Sequence, residues 1–255
     1  MSEIISEFQA MFTETEKSFG DISHPVWSGG HGPPIILMHE IDGFAPAFMQ
    51  LAMRLGKAFT VHAPIFYGKV GERVNEVSAY FCIRREFEFF RLGKTSPIAS
   101  WVRELAADIH GQAEGSKGVG VVGMCMTGGI VLATISHASV AVGVAAQPSL
   151  PLGSIGSRRR KEDLGMPPED IQAAAQSGTP VLTLRYEHDP ICPEPRISSI
   201  TRQIPSAQAP PDFLCNRTSH PTLTDFFRKK EGTEIRNVSD QAIHYTLSFL
   251  SKHLC

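Results

Sequence analysis

Val119-Gly-Val-Val-Gly-Met-Cys125-Met-Thr-Gly-Gly129 is the stretch of this chain that decides its fold. Residues 119–122 form a short β-branched apolar run of the kind that makes a buried strand. Residues 126–137 continue as an apolar, helix-length segment toward a second buried run. A strand that passes through a sharp turn into a helix presents the residue at the turn in a strained, exposed conformation, which suits a nucleophile. Small neighbours let such a turn close, and Gly123 supplies one. The helix N-terminus and the next backbone N–H favour negative charge at that position, and a thiolate is stabilised there in the same way. A buried core cysteine is the alternative fate of Cys125, since free cysteine is often buried. The segment alone does not decide between them.

Outward from Cys125, short apolar runs alternate with helical patterns, as in a parallel sheet covered by helices. Strands are expected at residues 35–38, 59–62, 119–122, 140–145, 181–184 and 213–215. A helix is expected from Ser96-Pro97, a cap residue followed by proline at the first helical position, with Ile98, Trp101, Val102, Leu105 and Ile109 recurring at helical spacing. Residues 242–250 read as a closing helix. Downstream of the 181–184 strand lies Arg185-Tyr-Glu-His-Asp189-Pro, and before the closing helix lies Thr218-Ser-His220-Pro. An acid after a later strand and a histidine before the last helix, in the order nucleophile, acid, base, is the order of an α/β-hydrolase. Asp189 would orient the imidazole and His220 would shuttle the proton. Glu187 and His188 are neighbours that compete for these roles, but both stand closer to the strand end.

These motifs together resemble the dienelactone hydrolase family, α/β-hydrolases with a Cys-His-Asp triad. The resemblance runs from about Pro33 to the C-terminus and is carried by Glu40-Ile-Asp-Gly43, Gly123-Met-Cys125-Met-Thr-Gly-Gly129, Asp189-Pro-Ile-Cys-Pro193 and Ser219-His220. It implies an α/β fold with a mostly parallel twisted sheet and helices on both faces. It implies that Glu40 hydrogen-bonds to the thiol and helps generate the thiolate when substrate arrives. It also implies that the backbone N–H groups of Ile41 and Met126 form the oxyanion hole. Two positions depart from the family pattern. Thr127 replaces a glycine, which would hold the helix further from the strand. Thr224 replaces an arginine, four residues after the histidine, that grips a substrate carboxylate. Arg84 and Arg85 are candidates to replace that charge, although both can equally pair with Glu86 and Glu88 on a helix surface. Tyr80, Phe81 and Phe87 belong to an aromatic-rich segment that either lines an apolar pocket or packs in the core.

The implied chemistry is acyl transfer through a thioester. A thiolate leaves more readily than an alkoxide, so the intermediate from a simple alkyl ester tends to collapse backwards. Enol esters, aryl esters and lactones go forward. The expected activity is hydrolysis of activated esters or lactones, with a small-molecule substrate. A non-catalytic binding protein of the same fold, an acyltransferase using the same cysteine and a thiol-redox protein are the competing functions.

The remaining features exclude more than they add. The 255 residues, 42% of them hydrophobic, suit one α/β domain over 1–255, with 1–32 as a poorly defined N-terminal extension. A formal charge of −2 gives no basic excess for nucleic acid or an anionic membrane. The N-terminus lacks the pattern of a signal peptide, and no apolar run approaches the ~18 residues that span a bilayer. Five cysteines without a C-x-x-C spacing suggest a reduced, cytoplasmic protein. Sequons at Asn216 and Asn237 are then chance matches. Gly118-Val-Gly-Val-Val-Gly123 matches a dinucleotide fingerprint in spacing only. Its glycines interrupt the strand, and no acidic residue occurs between Glu114 and Glu162. His39-Glu40 begins a zinc motif, but position 43 is glycine rather than histidine. No metal and no cofactor are expected. The run Arg158, Arg159, Arg160, Lys161 reads as a solvated surface segment.

Overall fold

A computed structural model describes residues 2–74, 96–150, 157–210 and 218–255. Tyr80, Phe81, Arg84, Arg85 and Phe87 lie outside the described residues, as does the strand expected at 213–215.

Four segments bury almost every residue: β3 (Pro34–Met38), β5 (Val119–Met124), β6 (Val140–Ala146) and β7 (Val181–Leu184). Strands covered on both faces read as continuous apolar runs, and these four are the parallel centre of the sheet. With β1 (Phe12–Phe19), β2 (Ile22–Gly30), β4 (Thr60–Pro64) and β8 (Ala207–Gln208) they form an eight-stranded sheet in the order β1-β2-β4-β3-β5-β6-β7-β8. Only β2 runs against the others. The mostly parallel α/β architecture expected from the motif order is present.

Helices cover both faces. On one side, α1 (Ser2–Met11), α2 (Pro46–Leu55) and the C-terminal α9 (Glu234–Leu254) share a core with Leu37, Val122, Met124 and Val144. On the other, α3 (Pro97–Gln112), α4 (Met126–Thr134), α6 (Pro168–Ser177) and α7 (Glu194–Gln203) pack over Ile36, Met38, Val121 and Cys125. Alternate residues of one strand feed opposite cores, as the two-residue side-chain period requires. The short α5 (Arg158–Glu162) carries the basic run, has no buried residue and ties Arg158 to Glu162 at 2.7 Å. A short α8 (Asp225–Arg228) precedes α9. Among the described residues no helix is long and apolar enough to cross a membrane.

Three elements differ from the sequence reading. Residues 2–30, expected as an ill-defined extension, form α1 and the β1–β2 hairpin. Phe8 and Phe12 stack at 4.4 Å between ring centroids, and Phe8 also meets Trp27 and Phe44. Strand β1 is largely exposed, so its polar sequence gives no apolar signal. The closing helix runs from Glu234 rather than from 242, because Ile235 and Val238 extend its buried stripe. Pro97 does open α3, but the Ser96 hydroxyl makes no capping bond.

Candidate active site

Cys125 stands between β5 and α4 with φ 57° and ψ −120°. Only Cys125 and Gln147 have positive φ among the described non-glycine residues. Strain of this kind persists only where surrounding bonds over-determine it. At Cys125 the N–H donates to Ala146 O at 3.0 Å, and the carbonyl accepts from Gly128 N at 3.1 Å and Ser149 N at 2.9 Å. Gly123 is required for the turn: a Cβ there would lie 2.3 Å from the Thr127 carbonyl oxygen. Thr127 thus does not keep α4 away from the strand. Its buried hydroxyl accepts from Met124 N at 2.9 Å, and its one proton has Met124 O at 2.9 Å as nearest acceptor, with His39 O at 3.2 Å and Met38 O at 3.3 Å at the end of β3 also within reach.

Asp189 and His220 come together beside this elbow. His220 Nδ1 lies 2.8 Å from both carboxylate oxygens of Asp189. Asp189 is itself fixed, because its Oδ1 accepts from Ile191 N and Cys192 N at 2.8 Å each. Glu187 and His188 face each other at 3.8 Å with half-exposed side chains and take no part in this arrangement. The other ring nitrogen, Nε2, is buried and has no well-formed hydrogen bond among the described residues. The Cys125 sulfur is nevertheless close enough to act on the ring. Burial alone would lower the His220 pKa, but a Cys125 thiolate and the Asp189 carboxylate outweigh it and hold the pKa at about 10.

Glu40 is buried at the end of β3, and its carboxylate contacts are not those the resemblance implies. Oε2 meets Arg228 at 2.7 Å, Oε1 accepts from Gln147 Nε2 at 3.0 Å, and the Thr224 hydroxyl lies 3.2 Å from Oε1. No hydrogen bond from this carboxylate to Cys125 is present. Burial raises the Glu40 pKa, opposed by the Arg228 charge. Arg228 also bonds Asp42 at 2.9 Å. Sequence reasoning missed Arg228, Gln147 and the contact of Thr224 with Glu40. A signal for Arg228 was present: position 228 is one helical turn beyond 224, so it presents a guanidinium from nearly the same face. Asp42, Arg73 and Arg228 line a cleft of about 500 Å³ with Ser219 and Pro221, the neighbours of His220.

The two backbone donors assigned to the oxyanion hole sit at the ends of adjacent parallel strands. Met38 is in register with Gly123, and Ile41 and Met126 each lie three residues beyond that pair. Neither N–H finds an acceptor among the described residues. There is also no group of three or more metal-ligating side chains among them.

The site therefore offers a strained thiol at a helix N-terminus, an imidazole oriented by a buried carboxylate and two free backbone donors. Comparison with solved structures returns the same fold. A protein from Klebsiella pneumoniae subsp. pneumoniae, provisionally named a dienelactone hydrolase, is 17% identical with a TM-score of 0.68, over 95% of this chain and 98% of that one. An esterase from Pyrococcus furiosus is 14% identical with a TM-score of 0.61, over 97% and 95%. Comparison with curated protein sequences gives no match. The profile of the dienelactone hydrolase family matches residues 20–253, and this chain, with its α/β-hydrolase fold, belongs to that family of ester and lactone hydrolases.

Proposed function

We propose that residues 1–255 act as one hydrolase domain that cleaves activated esters or lactones through an acyl-cysteine at Cys125. The single observation that carries this reading is the His220 imidazole, pinned by both oxygens of Asp189, with its free Nε2 beside a thiol at a strained elbow. Transfer of the Cys125 proton to His220 Nε2 gives a thiolate–imidazolium pair, and the thiolate attacks the ester carbonyl carbon. The oxyanion is held by the Ile41 and Met126 N–H groups. Collapse breaks the ester C–O bond, and the leaving oxygen receives its proton from His220. Water, deprotonated by His220, then attacks the thioester and releases the acid with the free thiol. Asp189 holds the Nδ1 proton while Nε2 gains and loses its own.

Glu40 contributes its charge from within the Arg228 cluster. Its carboxylate lies near enough to His220 for the imidazolium to lower the Glu40 pKa, which means the two charges stabilise each other. Because Arg228 is already shared by Glu40 and Asp42, it favours an uncharged ester over an acidic one. A thiol nucleophile also argues for a reducing, cytoplasmic setting.

Hydrolysis of p-nitrophenyl acetate tests this function. Wild-type protein should turn the ester over, and Cys125→Ala should not. Wild-type rates in Cys125→Ala would remove the catalytic role of the cysteine and leave a binding protein of the same fold.

A further inference from the structure

The carbonyl oxygen of Glu40 accepts three hydrogen bonds: from His39 Nδ1 at 2.8 Å, Tyr67 Oη at 2.9 Å and Gly43 N at 3.0 Å. That is one donor more than its lone pairs. The donors come from three places: the residue after β3, the loop after β4 and the turn that follows Glu40 itself. The tautomer of His39 is fixed by its second bond. Its Nε2 accepts from Phe66 N–H at 3.1 Å, so the ring proton sits on Nδ1 and points at Glu40 O. The ring is fully buried and edge-on to Tyr67, Phe44 and Phe48.

We infer that His39 and Tyr67 are positioning residues of the oxyanion hole, clamping the Glu40–Ile41 peptide so that its N–H faces the reacting carbonyl. The peptide is planar and trans, so a carbonyl fixed on one side fixes the N–H on the other. Donors at the oxygen also polarise the amide and strengthen the hydrogen bond its N–H gives, by roughly 10–30% per bond. The elbow lies against the same place, with the Thr127 hydroxyl 3.2 Å from His39 O and 3.3 Å from Met38 O. Burial holds the His39 pKa at about 4, so the ring stays neutral and its Nε2 stays an acceptor. This assignment rests on the proposed role of Ile41 N–H.

Tyr67→Phe removes one donor and keeps the ring. A whole oxyanion donor is worth on the order of 10²–10³ in rate, so loosening one should slow burst-phase acylation by about tenfold. The readout that a merely structural role would not move is the carbonyl stretch of the acyl-enzyme. It is followed by isotope-edited infrared spectroscopy after reaction with a slowly deacylating, ¹³C-labelled aryl ester. In Tyr67→Phe the band should move toward the frequency of a free thioester. His39→Asn, which can still place an N–H near the Nδ1 position, should retain more activity than His39→Leu. A Tyr67→Phe band and acylation rate equal to wild type would overturn the clamp while leaving Cys125 chemistry intact. Failure of wild-type protein to acylate would overturn the proposed function, and the clamp's role with it.

Discussion

The Cys125 thiol is only 8% exposed, whereas Cys255 is open to solvent and Cys192 is fully buried. Exposure alone would rank Cys255 as the most reactive of the three. Thiolate character gives a different order, because the base and the helix N-terminus both act at Cys125. Iodoacetamide should therefore modify Cys125 before Cys255, as read by peptide mapping. Cys192 should be inert, since burial pushes its pKa well above the usual thiol range. Cys255 reacting first would count against an activated Cys125. The second residue-scale test is Gly123→Ala. A Cβ 2.3 Å from a backbone oxygen forces the helix or strand to shift. The expected cost is about 1–3 kcal/mol, with a lower melting temperature and a large loss of activity. Unchanged stability would mean that the close approach is not required.

At the scale of elements, one hydroxyl, that of Thr127, sits where β5, α4 and β3 meet. Thr127→Val leaves the buried Met124 N–H without its side-chain acceptor, which should cost about 1–3 kcal/mol in denaturant unfolding. Esterase activity should fall with it, because Met124, next to Cys125, loses its bonds to the first turn of α4. Equal stability in the two proteins would show that the bond is dispensable. The same junction shows where sequence reading succeeds and where it stops. The apolar runs of β3, β5, β6 and β7 were legible because both their faces are buried. Cys125, Asp189 and His220 were legible because their order follows the fold. The contacts of Thr127 were not, since position 127 registered only as a missing glycine. Arg228 was missed because the expected charge arrives one turn later. Strand β1, Phe-Thr-Glu-Thr-Glu-Lys-Ser-Phe, is a strand through its pairing with β2 across the Gly20-Asp21 turn, not through any apolar pattern of its own.

For the molecule as a whole, several buried groups titrate away from their ordinary values, and their signs can be combined. Burial lowers both His39 and His62 to about 4. Between pH 4 and 6.5 the unfolded chain binds protons there that the folded chain does not, so stability falls as pH drops through this window. The effect is on the order of 3 kcal/mol for the fully buried His39 and less for His62. Glu40, with its raised pKa, opposes these two histidines but is a single group. His220 has the reverse sign. Held at about 10, it stabilises the fold below 6.5, and that contribution is lost as pH rises through 10. The melting temperature should therefore be highest near pH 6.5 and fall on both sides. A curve that rises steadily into acid would contradict these assignments. The central claim is that Cys125 becomes acylated, and mass spectrometry of the intact protein after mixing with an aryl ester tests it most directly. Wild-type protein should gain one acyl group, mapped to Cys125 and lost on standing, while Cys125→Ala should gain none. An adduct that persists in Cys125→Ala, or none in wild type under conditions of turnover, would contradict it.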